Sequence, residues 1–141
     1  RPDSGGGAMN SGVPAVTLLR IGYSLSAMYL LIQLAPEMAA TEDLRVEVRL
    51  SSHAEMSRFV IQRENGTVTG WTEPPGDADW ALQKTVQVKL PFTTIRAQRG
   101  ERVTFAVLVS GGGRLVATVP ARGVMSMKLP DADYELQHWE V

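Results

Sequence analysis

Apolar and polar residues alternate from Lys84 to Leu90, and a similar pattern returns over Glu101 to Ser110 and Arg114 to Val119. Successive side chains of a β-strand point to opposite faces, so Val86, Val88 and Leu90 share one face while Thr85, Gln87 and Lys89 share the other. Val103, Phe105, Val107 and Val109 repeat the arrangement, as do Leu115, Ala117 and Val119 after Gly111-Gly112-Gly113. The stretch from Lys84 to Pro120 reads as a strand, a connector over Phe92 to Gln98 with helical spacing, and a hairpin closed by a wide glycine turn.

The same period governs the rest of the chain. Strands are expected over Ala15 to Gly22, Met28 to Leu34, Leu44 to Leu50, Arg58 to Arg63, Thr67 to Trp71 and Val124 to Leu129. Leu31 stands on the second face of its strand, which suits a central strand partly covered on both faces. Arg45, Glu47 and Arg49 alternate in charge and can pair across strands. Asn65-Gly66 marks a tight hairpin turn, because both residues tolerate the positive φ such turns need. Pro36 to Asp43 breaks the strand pattern, and Thr72 to Asp79, with Pro74-Pro75-Gly76-Asp77, is a loop.

Nine or ten short strands, no long helix and at most one short helical turn predict an all-β antiparallel sandwich, with a side-opened barrel as the alternative. Residues 1–14 form a Gly/Ser-rich segment, and residues 15–141 are expected to be one domain.

Composition narrows the function classes. The net charge is −1 with acids and bases interspersed, which gives no basic stripe for a nucleic-acid partner. The longest apolar run, Ala27 to Ile32, falls far short of the roughly 20 residues of a membrane-spanning helix, so no membrane partner is expected. No secretory signal pattern opens the chain, which begins at Arg1 rather than Met and reads as a fragment or a processed product. The chain has no cysteine; this fits a reducing cytosol and removes thiolate nucleophiles, disulfides and thiolate metal sites.

Its two histidines, His53 and His138, are isolated, so neither a zinc site nor a serine triad can be assembled. A Met–His haem pair is a remote option, because Met28, Met125 and Met127 sit at strand positions as core filler. The glycines at 111–113 lack the Gly-Lys-Ser/Thr of a phosphate loop. No cofactor, no metal and no catalytic residue is therefore expected.

Carbohydrate contact remains as candidate chemistry. Trp71 and Trp80 bracket the loop that carries Asp77 and Asp79. An indole offers an apolar face to the C–H face of a sugar, while a carboxylate accepts from its hydroxyls. The same tryptophans also suit anchoring in a sandwich core.

Several stretches carry a family resemblance: Gly7-Ala8-Met9-Asn10, Leu18 to Tyr23, Met28 to Ile32, Val88 to Phe92, Gly100 to Phe105 and the ending Leu129 to Trp139. Together they resemble the C-terminal β-sandwich domain of family fifty-seven glycoside hydrolases, the amylopullulanase and α-amylase-like enzymes. The architecture is also similar to family-nine-like carbohydrate-binding modules. Asn10 stands where that family has His, and Ser24 where Asp is usual. The resemblance implies a non-catalytic accessory domain. Its partners would be an upstream catalytic domain of the same polypeptide and a polysaccharide. A ligand-free structural or protein–protein module is the alternative.

Overall fold

A computed structural model describes residues 14–53 and 55–130. The Gly7–Asn10 motif and the ending with Tyr134, Leu136, His138 and Trp139 lie outside the described residues. Ten strands run as β1 Val16–Tyr23, β2 Ala27–Leu34, β3 Arg45–Ser52, β4 Glu55–Glu64, β5 Thr67–Glu73, β6 Asp79–Leu82, β7 Thr85–Pro91, β8 Arg102–Gly111, β9 Arg114–Val119 and β10 Met125–Lys128. Two four-residue helices, α1 Pro36–Ala39 and α2 Phe92–Ile95, fall within the connections.

The strands form two antiparallel sheets. One has four strands in the order β1-β2-β7-β6; the other has six, in the order β10-β8-β3-β4-β5 with β9 also on β8. Their inner faces meet in one hydrophobic cluster. The four-stranded sheet contributes Met28, Leu30, Ile32, Val86, Val88 and Leu90; the six-stranded sheet contributes Val46, Val48, Phe59, Ile61, Phe105 and Val107. Strand alternation puts these residues on one face, and covering that face is what holds the two sheets together.

The chain crosses between sheets three times: from β2 to β3 through α1, from β5 to β6, and from β7 to β8 through α2. The long alternating stretch is thus shared between the sheets, with β7 in one and the β8–β9 hairpin in the other. Phe92, Thr94 and Ile95 of α2 are buried at the crossing. Arg96 ends the helix in the left-handed region at φ 58°, and its ion pair with Glu55 at 3.0 Å spans to β4.

Two features depart from the sequence reading. Asp79–Leu82 is a strand, so the loop after β5 is shorter than Thr72 to Asp79. A second helical turn, α1, occupies the break after Pro36, where proline is pre-set for the first helical position.

The hairpin turns follow their local chemistry. Asn65 and Gly66 take φ of 53° and 79°, and Gly112 and Gly113 take 61° and 81°. The glycine turn is tighter than expected, since Gly111 already pairs with Arg114 in the β8–β9 ladder. Gly111 serves a different need: a Cβ there would come within 2.8 Å of Thr41 Cγ2 and 2.9 Å of Met38 Cε. The α1 connector can approach β8 only because position 111 has no side chain.

Candidate functional site

The four residues singled out in the sequence are distributed over different surfaces. Trp80 lies on β6 and points between the sheets, where it packs against the core. Its indole covers Gly70 of β5: a Cβ at position 70 would stand 2.6 Å from Trp80 Cε2 and Nε1. Trp71, the next residue along β5, therefore points the other way. It is 38% exposed on the outer face of the six-stranded sheet, with the Arg45 Cζ 5.7 Å from its ring centre. The two indoles face different spaces.

Asp77 is exposed in the β5–β6 connection, and its backbone carbonyl accepts a 2.7 Å hydrogen bond from Thr94 Oγ1. Asp79 opens β6 on the outer face of the four-stranded sheet, directly opposite Lys89 of β7.

That outer face holds an open depression of about 560 Å³ that crosses all four strands. Register sets its rows. Gly22, Tyr29, Lys89 and Asp79 stand side by side from β1 to β6, and Arg20, Leu31, Gln87 and Ala81 form the adjacent row. Tyr29 is 41% exposed, and Lys89 Nζ lies 6.0 Å from its ring centre. At Gly22, nothing among the described residues lies within 4 Å of where a Cβ would be. The tyrosine ring thus has a cationic neighbour on one flank and open space on the other.

The sequence reading set Tyr29 and Leu31 on the second, partly covered face of a central strand; β2 lies between β1 and β7, and Leu31 is half-buried beside the exposed ring. A glycine within a strand, Gly22 of β1, was the available signal.

The outer face of the six-stranded sheet has a different character. Glu47 is only 6% exposed and is surrounded by Arg49 at 2.6 Å, Arg58 at 3.5 Å and Arg45 at 3.6 Å. Burial raises its carboxyl pKa, but the Arg49 hydrogen bond and the charges of Arg49, Arg58 and Arg45 more than reverse this and hold it below its ordinary 4.5. Arg58 also pairs with Glu73 at 2.6 Å. Glu47, Arg49, Arg58 and Glu73 line a second depression of about 440 Å³ together with Met56 and Pro74.

A third polar cluster closes one end of the sandwich. Glu101 accepts from the Ser52 hydroxyl and from the Gln98 amide at 2.8 Å, and contacts His53 Nε2 at 3.0 Å. The Ser52 hydrogen bond is the main cause that sets its carboxyl below the ordinary 4.5, against burial and with help from Gln98 and His53. The cluster fastens β3 to the turn before β8.

Among the described residues no three His, Asp or Glu side chains converge to hold a metal ion. Met28 is fully buried, and Met125 and Met127 pack against the core. No helix among the described residues is long and apolar enough to cross a membrane. No protein-family model matches the chain, and no curated protein matches it either.

Proposed function

We propose that this sandwich is a non-catalytic accessory domain of an α-glucan-acting glycoside hydrolase. It follows a catalytic domain in the same polypeptide, stabilises it and helps to hold polysaccharide. The observation in favour is positional. The family-like stretches Leu18 to Tyr23, Met28 to Ile32 and Val88 to Phe92 fall on β1, β2 and β7, which are neighbours in one sheet. Three of the six family-like stretches thus adjoin in one sheet, while Gly100 to Phe105 leads into β8 of the other. Of the four candidate sugar contacts, Trp71, Asp77 and Asp79 are solvent-facing, while Trp80 serves the core.

Affinity electrophoresis in gels containing amylopectin or pullulan tests the reading. Retarded migration is expected, together with a lower thermal midpoint for the parent enzyme when this domain is removed. Unchanged migration and an unchanged midpoint would reject it.

The second reading, a protein–protein module without a sugar ligand, is favoured by the six-stranded face. There the 70% exposed Met56 borders the Glu47 depression, and Trp71 is exposed on the same face of the sheet. On that reading no glucan retards the domain, and Trp71→Ala weakens its association with the rest of the polypeptide.

A further inference from the structure

We infer that the outer face of the four-stranded sheet is a glycan-binding trough: Tyr29 is its stacking platform, Gly22 the gap that admits a sugar ring, and Lys89, Asp79, Gln87 and Arg20 its hydroxyl-binding rim. The trough is open along its length and spans three inter-strand spacings of about 4.8 Å, or about 14 Å. It therefore accommodates a run of an extended chain rather than enclosing a small molecule.

Gly22 is the most informative residue. Glycine weakens a strand because it has no side chain to pack and loses the most backbone freedom on folding. Its backbone is not in the left-handed region, and among the described residues nothing lies within 4 Å of a Cβ there, so neither conformation nor crowding among them requires it. Gly22 stands opposite Tyr29 in the β1–β2 ladder. Any larger residue would occupy the space flanking the ring. A strand glycine without a folding reason, beside an exposed aromatic ring, marks a place where a ligand approaches the backbone.

The rim has the chemistry of a hydroxyl-rich ligand. Lys89 and Arg20 donate, Asp79 accepts, and the Gln87 amide does both. Leu31, half-buried between Arg20 and Gln87, supplies an apolar floor against C–H groups. Two cations face one carboxylate, and the Lys89 ammonium already lies over the Tyr29 ring. This near balance suits a neutral polymer better than a polyanion, whose binding scales with the number of phosphates neutralised. That the polymer is an α-glucan rests on the accessory-domain reading; the trough rests on its own geometry.

The test compares the whole domain with Tyr29→Ala, Gly22→Val, Trp71→Ala and Leu115→Ala, using pullulan gels and titration with maltoheptaose and cellohexaose, with sedimentation of each protein. The proposal expects Tyr29→Ala and Gly22→Val to bind maltoheptaose about tenfold more weakly. Their urea midpoints should not fall, and Leu115→Ala, at an exposed position of β9 on the other sheet, should bind as the parent does. Binding of cellohexaose alone, lost in Tyr29→Ala, would sustain the trough and remove the α-glucan reading. Full binding by both trough variants, or loss in Trp71→Ala only, would overturn the trough while leaving an accessory domain that binds elsewhere. No binding of any glycan by the parent would overturn it, as would a self-associated dimer that Gly22→Val dissociates.

Discussion

Two glycines on neighbouring surfaces carry opposite meanings. Gly70 is required by its surroundings, since the Trp80 indole occupies the place of its side chain. Gly70→Ala therefore forces a half-buried ring to move and is expected to cost about 2 kcal/mol of unfolding free energy in urea titration. Gly22→Ala meets no atom, and is expected to leave stability unchanged or raise it by about 0.5 kcal/mol. Equal losses at both positions would show that the trough glycine is structural after all. Ser57 offers a third case. Its hydroxyl is buried with no hydrogen-bond partner among the described residues. An unpartnered buried polar group is a cost, so Ser57→Ala should stabilise the domain by about 1 kcal/mol, read as a higher urea midpoint with an unchanged slope.

Arg63 of β4 ties two connections together. Its guanidinium donates to the carbonyls of Ala39 and Thr41, both at 2.9 Å, at the end of α1 where helical carbonyls otherwise lack partners. Arg63→Met keeps the apolar stem and removes both bonds. About 2 kcal/mol of stability should be lost, with faster amide exchange concentrated at 39–44. Exchange that stays slow there would show that the connector is held by packing alone. The reason β3, β7 and β8 were legible in the sequence is that one face of each is covered and the other is not, so the period of two is printed in their residues. β6 was not legible. Asp79-Trp80-Ala81-Leu82 is too short to establish a period, and it follows a Pro-Pro-Gly run that reads as loop. The direction in which Trp80 points is fixed by Gly70 on another sheet, a relation that no local window contains. Asn65-Gly66 was legible for the opposite reason, because its conformation is settled within two residues. The trough was partly visible, through Asp79. Its remaining members come from β1, β2 and β7, and only the pairing register brings them into two rows.

Glu47 and Glu101 lie at distant points of the sandwich, and both carboxyls are held below their ordinary 4.5. A carboxyl with a depressed folded pKa contributes stability that is full above its unfolded value and is lost as pH falls through its folded one. The molecule is thus expected to be evenly stable from neutral pH down to about 5 and to weaken below 4.5, as both groups take up protons. Glu47→Gln should cost about 1–2 kcal/mol at pH 7 and make the acid decline shallower, seen in urea midpoints between pH 3 and 7. An acid decline of unchanged steepness would place the proton uptake elsewhere.

The edge made by β9 and β10 lies along a single partner, β8. Val119 stands opposite Val107 and Met125 opposite Phe105, while residues 120–124 swing out between them. Among the described residues this edge consists of two short strands separated by a five-residue detour that starts with a proline, which has no amide proton to offer. Along this side a neighbouring molecule has no long template to copy. At high concentration, that interruption would help each copy remain a separate particle instead of becoming a seed for the next.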